Sequence, residues 1–254
     1  MNDEFYIGWE AKAAPGIGKA VRVIVIVAIL AAMVLAFVLA AVQHTIGVSI
    51  FEWGTVKKFS GVLKVQPYPH LLVPRPGATG AQNSFSTYYL VAPFKFGLDR
   101  EKLSALDGKM VSLQGTLIYR GNQTMVEALP DFIKAADQQL PSLPGTETIG
   151  LGRQTLVGEI VDSKCFLGVM NPGQLLPHRA CAIRCISGGI PPALLVRQQN
   201  GAAIYLLLVS ADGKPVNQQV LDLVAEPVQI TGEVERQGDV LILGADPSTY
   251  RRFN

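Results

Sequence analysis

Charge is scarce in this chain. Asp, Glu, Lys and Arg supply only 17% of the 254 residues, and they nearly cancel to a formal net charge of +2. No long basic run occurs, which removes the electrostatic footprint of a nucleic-acid-binding protein. Catalytic signatures are missing as well. There is no phosphate loop and no dinucleotide-binding glycine fingerprint. Ser163 lies between Asp162 and Lys164 but not in a G-x-S-x-G nucleophile elbow. No C-x-x-C-H run is present for haem attachment. Cysteine is nearly absent, yet its 3 copies all fall between 165 and 185. The expectation from these absences is a protein that is not an enzyme, with one special site.

What is abundant is apolar. The chain is 49% hydrophobic with a mean hydropathy of +0.29, and one segment accounts for much of this. Val23 to Val42 reads VIVIVAILAAMVLAFVLAAV without a charged residue. As a helix it spans about 30 Å, the thickness of a bilayer's hydrocarbon core. A secretory signal peptide is the rival reading, but its apolar core is usually shorter. Lys12, Lys19 and Arg22 precede the run, and Lys57, Lys58 and Lys64 follow it, so the charge count hardly orients it. An N-terminal anchor followed by the bulk of the chain favours a cytoplasmic N-terminus. Phe51 and Trp53 suit an interfacial depth, as does the cluster Phe5, Tyr6, Ile7 and Trp9 on the other side. That cluster also suits a docking segment for a membrane partner.

Beyond the anchor the chain repeats itself faintly. Val111-Ser-Leu113-Gln-Gly115-Thr-Leu117 matches Val228-Gln-Ile230-Thr-Gly232-Glu-Val234 at equal spacing. Each copy opens alike, with Gly61-Val-Leu and Gly158-Glu-Ile. Each has a middle apolar run, from Tyr88 and from Tyr205, and a closing one, from Thr124 and from Val240. Period-two alternation places one strand face inward. A mid-strand glycine marks a bend. With 25 glycines and 16 prolines as turn punctuation, the pattern predicts small closed barrels of the OB type. The second copy is about 20 residues longer between its opening and middle strands, and the extra stretch holds every cysteine.

The expected fold class is therefore mainly β. A single transmembrane helix precedes two tandem OB-like barrels, the second bearing a Cys-rich helical insertion. The expected boundaries are a cytoplasmic segment 1–20, the transmembrane helix 21–44 and a juxtamembrane linker 45–60. A first barrel 61–130, a helix and linker 131–154 and a second barrel 155–254 follow, with the insertion at 162–192. Pro141, Pro144 and Gly145 punctuate the linker. His70 reads as a loop histidine, and the loop from Pro67 to Ser84 as a docking surface.

The string Gly158-Glu-Ile-Val-Asp162-Ser-Lys-Cys165, with Cys181-Ala-Ile-Arg-Cys185-Ile-Ser-Gly188, resembles a loose class of bacterial exported β-barrel domains. Its pattern is G-x-[IV]-x-D-x-x-C followed by C-x3-C-x2-G. The resemblance covers about Leu156 to Ala245 and implies an OB-like fold and an exported location, not an activity. Met170 and His178, the anchor and the tandem arrangement are departures from it.

The residues leave the chemistry of the cluster open. If 178–185 is helical, His178, Cys181 and Cys185 share one face, and Cys165 can fold back onto it. That makes a Cys3His set of the structural-zinc type. With the thioether of Met170 the same set suits copper. Alternatively Cys165 forms a disulfide with Cys181 or Cys185, as an oxidising compartment favours, leaving one free thiol. Inert thiols are the third option. A haem on His44 or His178 lacks a second histidine in a single span, and an iron–sulfur cluster normally takes four cysteines. Asp162 either orients a ligand from behind or caps the turn after its strand. Gly188-Gly-Ile-Pro191-Pro192 reads as turn punctuation.

The functional expectation is an accessory or assembly subunit of a larger membrane complex of the electron-transfer kind. It sits in the bacterial cytoplasmic membrane with its barrels on the periplasmic side and meets other membrane-protein subunits. The alternative is a zinc- or copper-handling or redox protein built on Cys165, His178, Cys181 and Cys185. A thiol oxidoreductase fits less well, because C-x3-C is not the C-x-x-C redox spacing.

Overall fold

A computed structural model describes residues 14–44, 49–75, 85–136, 148–198 and 203–253. The expected aromatic cluster Phe5, Tyr6, Ile7 and Trp9 lies outside the described residues. So do Pro141, Pro144 and Gly145, and half of the expected docking loop, 76–84. The chain divides into two compact parts, Met1–Gly47 and Val48–Asn254.

The first part is one helix, α1 (Pro15–His44). Pro15 opens it, where a fixed φ and a missing N–H cost nothing. The helix thus starts upstream of the expected position 21. Within its part its apolar side chains are uncovered, with Ile24 65% and Phe37 75% exposed. It is long and apolar enough to cross a membrane.

The second part is mainly β and holds two closed five-strand barrels. The first uses β2 (Lys57–Lys64), β3 (His70–Pro74), β4 (Phe85–Val91), β5 (Met110–Arg120) and β6 (Gln123–Ala128), after a short β1 (Ser49–Phe51) that pairs with β5. Around the barrel the order is β2-β3-β4-β6-β5 and back to β2. β4 and β6 are parallel, and the other pairs in the ring are antiparallel. A helix α2 (Arg100–Leu103) sits between β4 and β5, capped by Asp99, which accepts from the Glu101 and Lys102 amides. A short β7 (Lys134–Ala135) returns along β5.

The second barrel uses β8 (Thr148–Asp162), β9 (Pro192–Arg197), β10 (Ala203–Val209), β11 (Pro227–Gln237) and β12 (Val240–Gly244), with a terminal β13 (Arg251–Arg252) on β11. It closes in the same order, β8-β9-β10-β12-β11 and back to β8, again with its third and fifth strands parallel. The expected alternation holds. Val111 and Leu113 point inward with Ser112 between them half-buried, as do Val228 and Ile230 around Gln229. Gly115 and Gly232 occupy matching places on β5 and β11. A Cβ there would run into the Glu127 carbonyl in one barrel and the Gly244 carbonyl in the other, so close strand approach demands glycine at both.

The two barrels share a core. Tyr68, Tyr89, Val91, Ile118 and Met125 of the first pack with Val161, Phe166, Leu207 and Ile242 of the second. Tyr68 crosses between them. Its hydroxyl donates to the Leu208 carbonyl at 3.1 Å and accepts from the Val216 amide at 3.2 Å. Asp239, in the turn between β11 and β12, accepts from the Thr87 amide and pairs with Arg75. His70 is not a loop residue. It begins β3, is buried, and its Nδ1 lies 2.9 Å from the Tyr68 carbonyl. Only a protonated Nδ1 can donate there, so Nε2 is the bare nitrogen of the neutral ring.

Two outcomes follow from this packing. Tyr68→Phe leaves the Leu208 carbonyl and Val216 amide without their buried partner, and is expected to cost about 1–3 kcal/mol in denaturant unfolding of the full chain in detergent. Burial holds the His70 imidazole below its ordinary value of 6.5, so the unfolded chain binds the proton more readily. Stability from this residue is present above 6.5 and is lost as pH falls below it. A His70→Gln chain should show a smaller fall in melting temperature across that window; an equal fall would refute the assignment.

Candidate functional site

The cysteines lie between β8 and β9, in residues 163–191. The matching connection of the first barrel is only 65–69. β8 ends at the fully buried Asp162. The chain then makes one wide helical turn, Cys165–Val169, broken at Gly168. A 3-10 turn, Leu176–His178, leads into α3 (Arg179–Ser187). The helical expectation for 178–185 is met, and Cys165 does come from a preceding turn.

Asp162 organises this segment with both oxygens. Oδ1 accepts the Cys165 amide at 2.8 Å, and Oδ2 lies 2.9 Å from His178 Nε2. Asp162 thus caps the turn, as expected, and also holds the His178 imidazole. His178 stands at the N-terminal boundary of α3 but does not cap it with its side chain. It is buried at 6% exposure, so it is not a surface histidine. Cys165 and Cys185 are buried and Cys181 is partly exposed; all three are free thiols, with Cys165 and Cys181 sulfurs 4.0 Å apart. Cys165, His178 and Cys181 each offer a ligand atom within 4.8 Å of the others, and so do Asp162, Cys165 and Cys185. These residues could hold a metal ion. Met170 is 45% exposed, and its amide donates to the Cys165 carbonyl at 3.1 Å.

The thiols are electrostatically unequal. Donating to Cys185 pushes the Cys165 thiol up, and burial pushes it further. Accepting that bond holds the Cys185 thiol down, with the Lys95 charge helping. Of the two, Cys185 is thus the readier to lose its proton and Cys165 the more reluctant.

Two lysines complete the site, and both escaped the sequence reading. Lys95 belongs to the first barrel, in the connection after β4. Its ammonium lies 2.7 Å from Cys181 Sγ and 3.9 Å from Cys185 Sγ, and the bond to Cys181 holds its affinity for the proton above the usual lysine range. Nothing in the sequence pairs 95 with 181. Lys164 sat inside the quoted motif, where it served only as spacing. It is buried, forms a 2.5 Å ion pair with Glu127, and donates to the Ala92 and Phe94 carbonyls at 2.9 and 2.6 Å. These bonds brace Phe94 at φ 62, an unfavourable value for a residue with a Cβ. The same connection touches the end of α3. The Gly97 amide donates to the Gly188 carbonyl at 2.9 Å, and a Cβ on Gly188 would collide with the Lys95 carbonyl. The glycines after the last cysteine therefore do more than punctuate a turn.

No protein-family model, curated protein or solved structure matches the chain.

Removing one partner of the Lys164–Glu127 pair strands a mostly buried charge. Lys164→Met is expected to destabilise the full chain by about 3–5 kcal/mol. Lys164→Met with Glu127→Leu should recover most of that loss in the same urea titration. Equal losses in the single and double variants would show that the ion pair is not what the lysine contributes.

Proposed function

We propose that this chain is a membrane-anchored metal–thiolate protein, serving as an accessory subunit of a larger membrane complex of the electron-transfer kind. The observation that carries the reading is the meeting of Cys165, His178 and Cys181 within 4.8 Å, with Cys185 joined to the same Cys165 in a second group and Asp162 fixing the imidazole from behind. Three sulfurs and one nitrogen match the donor set of a closed tetrahedral site. A carboxylate on the far nitrogen of a ligating histidine is the usual means of orienting it. Cys165, His178, Cys181 and Cys185 would hold a zinc or cuprous ion, which would supply either rigid cross-linking or one-electron chemistry. The exposure of Met170 supports the set without the thioether.

Each barrel is read as OB-like, on the order first-second-third-fifth-fourth with a helical piece between third and fourth strands. The 163–191 segment is read as a Cys-rich insertion on the second barrel. α1 is read as a single span of the bacterial cytoplasmic membrane, with the barrels on the periplasmic side. Docking to other subunits is supported by Phe94, 81% exposed at the rim of the site on a backbone that Lys164 holds.

The test is metal analysis of the full chain extracted from membranes in detergent. One equivalent of zinc or copper is expected, with the thiols reacting only after chelation. Cys165→Ser, Cys181→Ser, Cys185→Ser and His178→Ala should each abolish retention, and Asp162→Asn should weaken it by about 10–100-fold. Metal-free protein with one reactive thiol would replace the reading by a disulfide between Cys165 and Cys181 or Cys185.

A further inference from the structure

The contact between Lys95 and Cys181 is the least ordinary feature of the site. N–H···O bonds run about 2.7–3.2 Å, with charged ones at the short end, and sulfur is larger than oxygen, so an N–H···S bond is normally longer than these. The 2.7 Å between Lys95 Nζ and Cys181 Sγ is therefore very short for a hydrogen bond. It matches the separation that a single bridging oxygen sets between a nitrogen and a sulfur. Both reacting groups are held. Lys95 lies between Phe94, whose carbonyl Lys164 grips, and Gly97, bonded to the end of α3. Cys181 rides on α3 itself. Such fixed proximity is what makes an otherwise slow bond-forming step competitive. Cys181 is also the one thiol of the three that is partly exposed, so a small oxidant reaches it.

We propose that Lys95 and Cys181 are a modification site, joined by a covalent N–O–S bridge when the metal-free protein meets dioxygen. In this step the O–O bond breaks and one oxygen forms both the S–O and N–O bonds. The second oxygen leaves as water. It takes two hydrogens from the lysine and cysteine groups, and one remains on the bridging nitrogen. The amine and thiol are oxidised and dioxygen is fully reduced, so no further reactant is needed. The bridge ties the first barrel to α3 and removes Cys181 from the ligand set, so bound metal protects against it. The inference does not rest on the metal reading, because it concerns the empty site.

The experiment is intact-mass measurement on the full chain in detergent, stripped with a chelator under anaerobic reductant and then exposed to air. The expected result is a gain of one oxygen less two hydrogens, reversed by a thiol reductant. Proteolysis should yield one cross-linked pair of peptides containing Lys95 and Cys181. Lys95→Arg keeps the cation without the primary amine, and it should lose the mass gain while retaining the parent circular-dichroism spectrum. Cys181→Ser should lose it as well. An unchanged mass in air would overturn the proposal. So would a loss of two hydrogens alone, which is the disulfide from Cys165 to Cys181, or an oxygen gain that persists in Lys95→Arg, which is oxidation of sulfur by itself. Metal content before stripping is measured on the same sample and judges the metal reading separately.

Discussion

One buried lysine holds this arrangement together. A lysine in a protein interior is costly unless its charge and its hydrogen-bond donors are matched. Lys164 meets that demand entirely from the other barrel, with the Glu127 carboxylate and the carbonyls of Ala92 and Phe94. The residue that follows it is the first cysteine. The lysine on the second barrel's first helical turn thus dictates the path of the first barrel's connection after β4, and that path carries Lys95 to the sulfurs. The short approach of Gly97 and Gly188 backbones is the other end of the same clamp.

The apolar packing between the barrels centres on the turn after Lys164. Phe166 stacks on Tyr205 at 5.7 Å within the second barrel and lies under the Arg120 guanidinium of the first at 4.4 Å. Arg120 also donates to the Phe166 carbonyl at 2.8 Å. Gly168 passes so close to the Ile50 carbonyl that a side chain there would not fit. The segment that presents the cysteines is therefore the same segment that fills the space between the barrels.

Much of the fold was legible because it depends on local periodicity. Alternation in Val111-Ser-Leu113 and Val228-Gln-Ile230 marked the barrel strands, and an uncharged run from 23 to 42 marked α1. The place of the site was legible because soft ligands are rare, and the i, i+3, i+7 spacing of His178, Cys181 and Cys185 already implied a shared face. What escaped the sequence is what depends on distance along the chain. Lys95 meets Cys181 across 86 positions and Lys164 meets Ala92 across 72. His70 was misplaced for a related reason. The prolines around it signal a loop, but partners supplied by Tyr68 and Tyr89 draw it into a buried strand end. A polar residue inside a tandem-barrel core is explained by its partner, and the partner lies beyond any local window.

The coupling has a consequence for how the site behaves. In a lone barrel, changing the charge on a thiol would be a local matter. Here Asp162 caps the Cys165 turn and fixes His178, Lys164 on that turn positions the opposing connection, and that connection returns Lys95 to Cys181. The loop of interactions is closed, so each member is held by two routes. Closed sets of this kind resist partial change, because buried polar networks are stable when every donor and acceptor is met and costly when one is not. Whatever alters the sulfur chemistry, whether an ion among the thiols or an oxygen bridge between nitrogen and sulfur, would therefore act on the packing of one barrel against the other. That link between thiol state and barrel geometry is the physical reason to place the cluster between the barrels rather than on an outer loop.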